Sequence, residues 1–228
     1  RYARQIADEQ LNLLPYRIAA WEAVDWLIPG DTYTVSGQTP IEVIADLAKA
    51  AGGFVESHPY EAQLFVRPVW RQPAWAKPTP ALTIPANLIL SVSGQRRISE
   101  RCNAVRVTPA AEQIGGAKAK GGLVYREGTD QQPEASTLTH AAYTDSDVMR
   151  AAGIHALSET GTHKIETVTL PWAEKYQLPL ASLGAVWAFA EQGQTWQGVI
   201  KGVSVAVELD GGAPVVTQAV TIDRYLGD

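Results

Sequence analysis

Along most of this chain, apolar and polar positions alternate with the two-residue period of half-buried strands. One stretch breaks that rhythm. In VSGQTPIEVIADLAKAAGG, residues 35–53, apolar side chains recur at helical spacing. Ile41, Ile44, Leu47, Ala48 and Ala51 fall on one face of a helix over 40–51. Thr39 is placed to cap it, with Glu42 three residues on, and Pro40 stands at the first helical position, where its missing N–H costs nothing. Gly52 and Gly53 end it. TYTVSG before it reads as a short strand, and GFVESHPYEAQLFVRPVW after it reads as a hairpin turning at HPYE. Strand, helix and hairpin together make a small α/β module.

Upstream, YARQIADEQLNLL reads as a short helix ended by Pro15, followed by the loosely alternating YRIAAWEAVDWLIPG. Downstream, RQPAWAKPTPALTIPA at 71–86 holds four prolines and is expected to be a linker or an extended crossing segment. Beyond it the chain turns β-rich. NLILSVSG and NAVRVTP read as strands joined by the polar link QRRISERC. PAAEQIGGAKAKG at 109–121 reads as a mobile loop, GLVYREG as a strand and QQPEASTLTHAAY as a polar connection. A second helix is expected at 145–158, with Thr144 and Asp147 as a variant capping box and Gly161 near its far end. Gly153 inside it works against the helix. HKIETVTLPW, AVWAFAEQG, TWQGVIKGVSVAVELDGG and VVTQAVTIDRYL read as a run of antiparallel strands, with turns at Gly193 and at DGG, 210–212.

The resulting fold class is α+β, mostly β: a strand–helix–hairpin module plus an antiparallel domain resembling a barrel or sandwich. The expected domains are a connecting segment at 1–30, the α/β module at 31–70, the Pro-rich linker at 71–86, and a β-rich domain at 87–228 with one helix near 145–158. VSGQ occurs at both 35–38 and 92–95, but the flanks differ, so the chain is read without an internal repeat. The opening RYARQIADEQ reads as the interior of a longer protein.

Composition narrows the function classes. At 228 residues and 46% hydrophobic, the chain can bury a full core. A net charge of −5 gives no electrostatic footprint for nucleic acid. No apolar run approaches the roughly 18 residues of a membrane-spanning helix. Cys102 is the single cysteine, so an internal disulfide and a cysteine zinc site are excluded, and an inert semi-buried thiol is expected.

The remaining candidates for chemistry are weak. Ser36 and Ser93 sit at strand-to-turn positions but lack the glycines of a nucleophile elbow. His58, His140, His155 and His163 form no pair at metal-ligand spacing. Asp145 and Asp147 suit the start of a helix, and Asp8, Glu9, Asp25, Asp31, Glu208 and Asp210 are scattered. A carboxylate pair formed in space leaves no trace in sequence and stays open. Gly116 to Gly121 has phosphate-loop spacing, but Gly122 stands where lysine is required. Seven tryptophans fit a core, subunit contacts or a sugar platform. No catalytic, cofactor-binding or metal-binding residue is therefore assigned, and no cofactor is expected.

Two segments carry a family resemblance. YTVSGQTPIEVIADLAKAAGGFVESHPYEAQLFVRPVW resembles the strand, GQTP-like cap, helix and hairpin of phage and prophage tail baseplate hub (tail-tip) proteins of the Mu-type tail protein family. WQGVIKGVSVAVELDGGAPVVTQAVTIDRYL is similar to their closing hairpin. The resemblance spans roughly 35–70 and 180–226 and brings no catalytic residue with it. It implies a structural virion protein assembled in the bacterial host cytoplasm. That protein would form a homotrimeric ring of β-barrels joining the tail tube to the spike or fibre complex. The alternatives are a carbohydrate- or protein-binding β-rich module, or a glycosidase or peptidase. The glycines and small side chains of 109–121 provide little apolar area to offset ordering. Limited trypsin digestion is therefore expected to cut first after Lys118 or Lys120; resistance there, with cleavage elsewhere, contradicts this reading.

Overall fold

The computed structural model describes residues 1–191, 193–211 and 213–227, the side chains at 174 and 210 excepted. The elements run α1 (Ala3–Gln10), β1 (Arg17–Trp21), α2 (Pro40–Ala50), β2 (Gly53–Ser57), β3 (Gln63–Pro68), β4 (Leu82–Ile84), β5 (Ser91–Arg97) and β6 (Ala104–Pro109). They continue with β7 (Gln113–Ile114), β8 (Ala117–Lys118), β9 (Gly122–Tyr125), β10 (Glu134–His140), α3 (Ser146–Ser158), β11 (Thr162–Pro171), β12 (Val186–Glu191), β13 (Gln194–Asp210) and β14 (Ala213–Gly227). The class is α+β and mostly β, as the alternation implied.

The chain divides into two compact units, each made of two stretches. The first unit is Arg1–Pro73 with Arg101–Thr160, and the second is Ala74–Glu100 with Gly161–Asp228. The Pro-rich stretch thus contains a boundary, but it also contributes β4 to a sheet. The block 87–228 is shared between both units.

In the first unit, α2 forms for the reasons its sequence states. The Thr39 N–H and hydroxyl both donate to the Glu42 carboxylate, at 2.7 and 2.8 Å, as one half of a capping box. Those bonds hold the fully exposed Glu42 carboxyl below its usual pKa, the backbone bond first. Val43, Ile44, Leu47 and Ala48 are fully buried, whereas Ile41, expected in the core, is 48% exposed. Gly52 takes φ +68°, and a side chain there would strike His155 at 2.6 Å. The hairpin β2–β3 follows as expected, and β1 lies parallel to β3, giving the order β1-β3-β2.

TYTVSG is not a strand. Residues 33–35 are irregular, Ser36 and Gly37 form a turn with Gly37 at φ +78°, and the Tyr33 hydroxyl is taken by Asp46 on α2. A side-chain bond to the helix replaces the backbone partner that a strand would need.

The second sheet of this unit has the order β10-β6-β9, with α3 packed against it. QQPEASTLTHAAY, expected as a polar connection, contains β10, parallel to β6. Its Glu, Ser and Thr residues face outward while Ala135 and Leu138 are partly covered, so low hydrophobicity hid a one-sided strand. The expected loop at 109–121 carries the minimal hairpin β7–β8, turning on Gly115 and Gly116, both at positive φ. α3 is capped by Asp145, whose side chain accepts from the Asp147 N–H at 2.8 Å, and not by Thr144. Gly153 is explained by packing: a methyl there would lie 2.5–2.8 Å from three carbons of Val124 on β9.

The second unit is a six-stranded sheet in the order β4-β12-β13-β14-β11-β5. All its pairs are antiparallel except β4 with β12. The ladder runs between β4 and β5 and does not close into a barrel. QRRISERC begins inside β5, which extends through Arg97. One face buries Ile84, Val168, Leu170, Phe189, Ile200, Val220 and Ile222, with Phe189 and Trp196 stacked at 4.6 Å. Residues 178–183 lie over this face. There the buried Gln218 amide accepts from the Ala181 N–H at 3.1 Å and donates to the Pro179 carbonyl at 3.0 Å. The strand expected over AVWAFAEQG and the turn at 210–212 include Gln192 and Gly212, which lie outside the described residues. The two copies of VSGQ differ in structure. Gly37 provides a turn, while Gly94 lies within β5, where a side chain would meet Glu166 and the Ile165 carbonyl at 2.9 Å.

Leu47 is fully buried against this first-unit core. Leu47→Ala is expected to destabilise the protein by about 2–5 kcal/mol in denaturant titration, whereas a loss under about 0.5 kcal/mol would mean an exposed face.

Candidate functional site

In the first unit a polar cluster links α2, which packs on one sheet, to β10 of the other. Asp46, on the polar side of α2, accepts from the Tyr33 hydroxyl at 2.7 Å. Its other oxygen lies 3.2 Å from His140 Nε2, at the end of β10. His140 Nδ1 accepts from the Ala142 N–H at 3.0 Å, so the neutral ring carries its proton on Nε2 and donates to Asp46. Both ring nitrogens are therefore engaged. Tyr143 packs against the same imidazole at 5.4 Å. Two more bonds reinforce the junction: Trp26 Nε1 donates to the Ala142 carbonyl at 2.7 Å, and the Thr144 hydroxyl to the Leu27 carbonyl at 2.7 Å. The arrangement works as a latch between elements distant in sequence.

The second unit carries two buried charged groups. The His163 imidazole meets the Asp223 carboxylate at 2.6 Å, with Arg97 and Lys201 each 3.9 Å from its other oxygen. Glu166 pairs with Lys164 at 2.6 Å and has Arg224 at 3.9 Å. Asp223 and Glu166 are nearly inaccessible, and each has cations beside it to offset desolvation. Strand register places these charges: Ile165 stands opposite Asp223, His163 opposite Tyr225 and Lys164 opposite Arg224.

The other sequence candidates are dispersed. Ser36 is in the turn before α2, and Ser93 is within β5. His58 Nδ1 accepts from the N–H groups of Tyr60 and Glu61 and so shapes the β2–β3 turn. His155 packs on Gly52. Cys102 is buried. Trp26, Trp70, Trp187 and Trp196 are buried, and Trp21, Trp75 and Trp172 are half-buried. Among the described residues, no group of three or more His, Cys, Asp or Glu is placed to hold a metal, and no helix is long and apolar enough to cross a membrane.

Sequence reasoning missed the Asp46–His140 and His163–Asp223 pairs, whose members are 94 and 60 residues apart. It also missed a shallow groove of about 550 Å³ between α2 and the outer edge of β2, lined by Ile41, Ala45, Lys49, Phe54, Val55 and Leu64. The exposure of Ile41, an apolar residue at a core-like position, marks this groove.

No protein-family model and no curated protein sequence matches the chain. Solved structures do. A tail protein from Neisseria meningitidis MC58 superposes with a TM-score of 0.58 at 13% identity, over 98% of this chain and 67% of that one. The 43 kDa tail protein of prophage MuSo2 from Shewanella oneidensis gives 0.59 at 14% identity, over 98% of this chain and 66% of that one. A chain of the native gene transfer agent virion gives 0.51 at 14% identity, over 96% and 46%. The chain thus shares the fold of phage and prophage tail proteins. It spans about two thirds of the first two and less than half of the third.

Burial first, and then the hydrogen bond and charge of Asp46, raise the pKa of Tyr33 above its usual value. In the unfolded chain Tyr33 ionises at about pH 10, while in the folded protein it stays protonated beyond that. This contribution to stability is therefore complete below pH ~10 and is lost as pH rises above it. Tyr33→Phe is expected to lower stability near neutrality and to flatten the loss between pH ~10 and ~12 in urea titrations; an unchanged alkaline slope contradicts the latch.

Proposed function

We propose that this chain is part of a structural protein of a phage or prophage tail, and that the whole protein forms a homotrimeric hub ring at the tail tip. The observation that carries this reading is fold agreement over 98% of the chain with tail proteins from two bacterial sources. The internal chemistry is compatible with a scaffold. Each histidine is placed by packing or hydrogen bonding, and the densest polar clusters tie elements together. The role is mechanical: to hold a ring, to seat on the tail tube on one side and to carry a spike or fibre complex on the other. Assembly takes place in the bacterial host cytoplasm, and the mature location is the virion tail.

A ring of identical subunits uses head-to-tail contacts, each burying two different surfaces of one chain. Mass photometry of the full-length protein at micromolar concentration is expected to show three copies, and mass spectrometry of purified particles to find it there. A strictly monomeric protein absent from particles would overturn the assignment.

A further inference from the structure

At one end of the second unit's sheet, three cations stand in a line. Lys164 on β11 lies opposite Arg96 on β5 and opposite Arg224 on β14. Directly opposed residues share a face, so the three side chains form a row across three strands. At the usual strand spacing the row is about 10 Å long. Like charges placed this way repel. Glu166, two residues along β11 on the same face, offsets part of that repulsion. It is 1% exposed, accepts from Lys164 Nζ at 2.6 Å and lies 3.9 Å from Arg224. Gly94 stands opposite it, and a side chain there would meet the Glu166 Cγ at 2.9 Å, so this burial depends on glycine. The Arg224 guanidinium also lies over the Trp196 ring at 5.4 Å. Glu166 and Trp196 thus hold Lys164 and Arg224 in place. Both cations remain partly exposed and keep donors to spare, since an ammonium has three and a guanidinium five. Arg96 is exposed and, among the described residues, pairs with no carboxylate.

The row runs out to an open edge. β5 is the outermost strand on its side of the sheet, and Ser91–Arg97 is exposed apart from the half-buried Val92. About half of the N–H and C=O groups of such a strand point away from its one neighbour. Arginine on an outer strand also guards it against indiscriminate pairing. That role accounts for Arg96. It does not account for Lys164 and Arg224, which lie on interior strands. A buried carboxylate that fixes two further cations in line with Arg96 prepares the edge to receive negative charge.

We propose, independently of the tail assignment, that β5 is a docking edge for an acidic strand of another protein. The partner pairs its main chain with β5 and sets a carboxylate beside Arg96, at the end of the row. Main-chain bonds give affinity, and the Arg96 guanidinium fork suits bidentate recognition of the carboxylate. A neutral or basic strand would leave the repulsion along the row unrelieved, so charge selects the occupant. On the opposite face of the same edge, Arg97 and Lys201 both flank Asp223 at 3.9 Å, which keeps the field positive there too. Nucleic acid matches less well, because the chain carries −5 overall and the row holds three cations rather than a long basic stripe.

The test uses the full-length protein at low salt with three short peptides, TETETET, TQTQTQT and TKTKTKT. In an extended peptide alternate side chains share a face, so a glutamate falls beside Arg96 in any register of that face. The expected result is that only TETETET binds in isothermal titration calorimetry, and that it slows amide hydrogen exchange over Ser91–Arg97. Arg96 is exposed, so Arg96→Glu leaves the core intact. That variant is expected to weaken TETETET about tenfold and to admit TKTKTKT. No binding of TETETET at millimolar concentration, equal binding of TQTQTQT, unchanged exchange along β5, or unchanged affinity in Arg96→Glu would each overturn the docking edge. A DNA duplex that binds the row in preference to TETETET would overturn the choice of a protein partner.

Discussion

The antiparallel ladder between β13 and β14 is the constraint on which the second unit is built. The two strands run 17 and 15 residues, far longer than an ordinary strand; β12 and β11 pair with their flanks, and β4 and β5 add outside those. Their alternation decides which side chains form the core. Val220 and Ile222 face Phe189, Trp196 and Ile200, while Thr221 and Asp223 turn to the other face. A one-residue slip would bury Thr221 in the apolar core and expose Ile222. The same length makes the ladder outrun its neighbours, and the overhang at 203–210 is its direct consequence.

The first unit solves a different problem. Neither of its three-stranded sheets is large enough to hold a core alone, and each takes a helix on its face. Apolar packing is then supplemented by hydrogen bonds that cross between the two modules. Asp46 collects Tyr33 and His140, Trp26 reaches Ala142, and Trp70 Nε1 donates to Glu159 at 2.7 Å. A partly buried polar network of this kind favours one arrangement, because a shifted packing would leave its donors and acceptors unpaired.

Local signals were legible in the sequence, and distant ones were not. α2 could be read because its start, its apolar face and its glycine stop all lie within 19 residues. Apart from β4, which lies in the Pro-rich stretch expected as a linker, the strands of the second unit were visible for the same reason, since alternation is a local property. TYTVSG was misread because Tyr, Thr and Val favour strands, yet the hydroxyl of Tyr33 finds its partner on α2. β10 was missed because its residues are mostly polar, and only its parallel neighbour β6 reveals it. Ile41 followed the helical period correctly but faces an open groove, which periodicity cannot register. The Asp46–Tyr33–His140 cluster had no sequence signature, because its members are joined by tertiary structure alone.

The central claim is that this fold serves as a tail-tip scaffold. Cryo-electron microscopy of purified particles, averaged about the tail axis, tests it most directly. The account predicts three copies around that axis at the tail tip, between the tube and the spike or fibre density. Density for the chain elsewhere in the particle, or none at the tip of an otherwise complete tail, would contradict it.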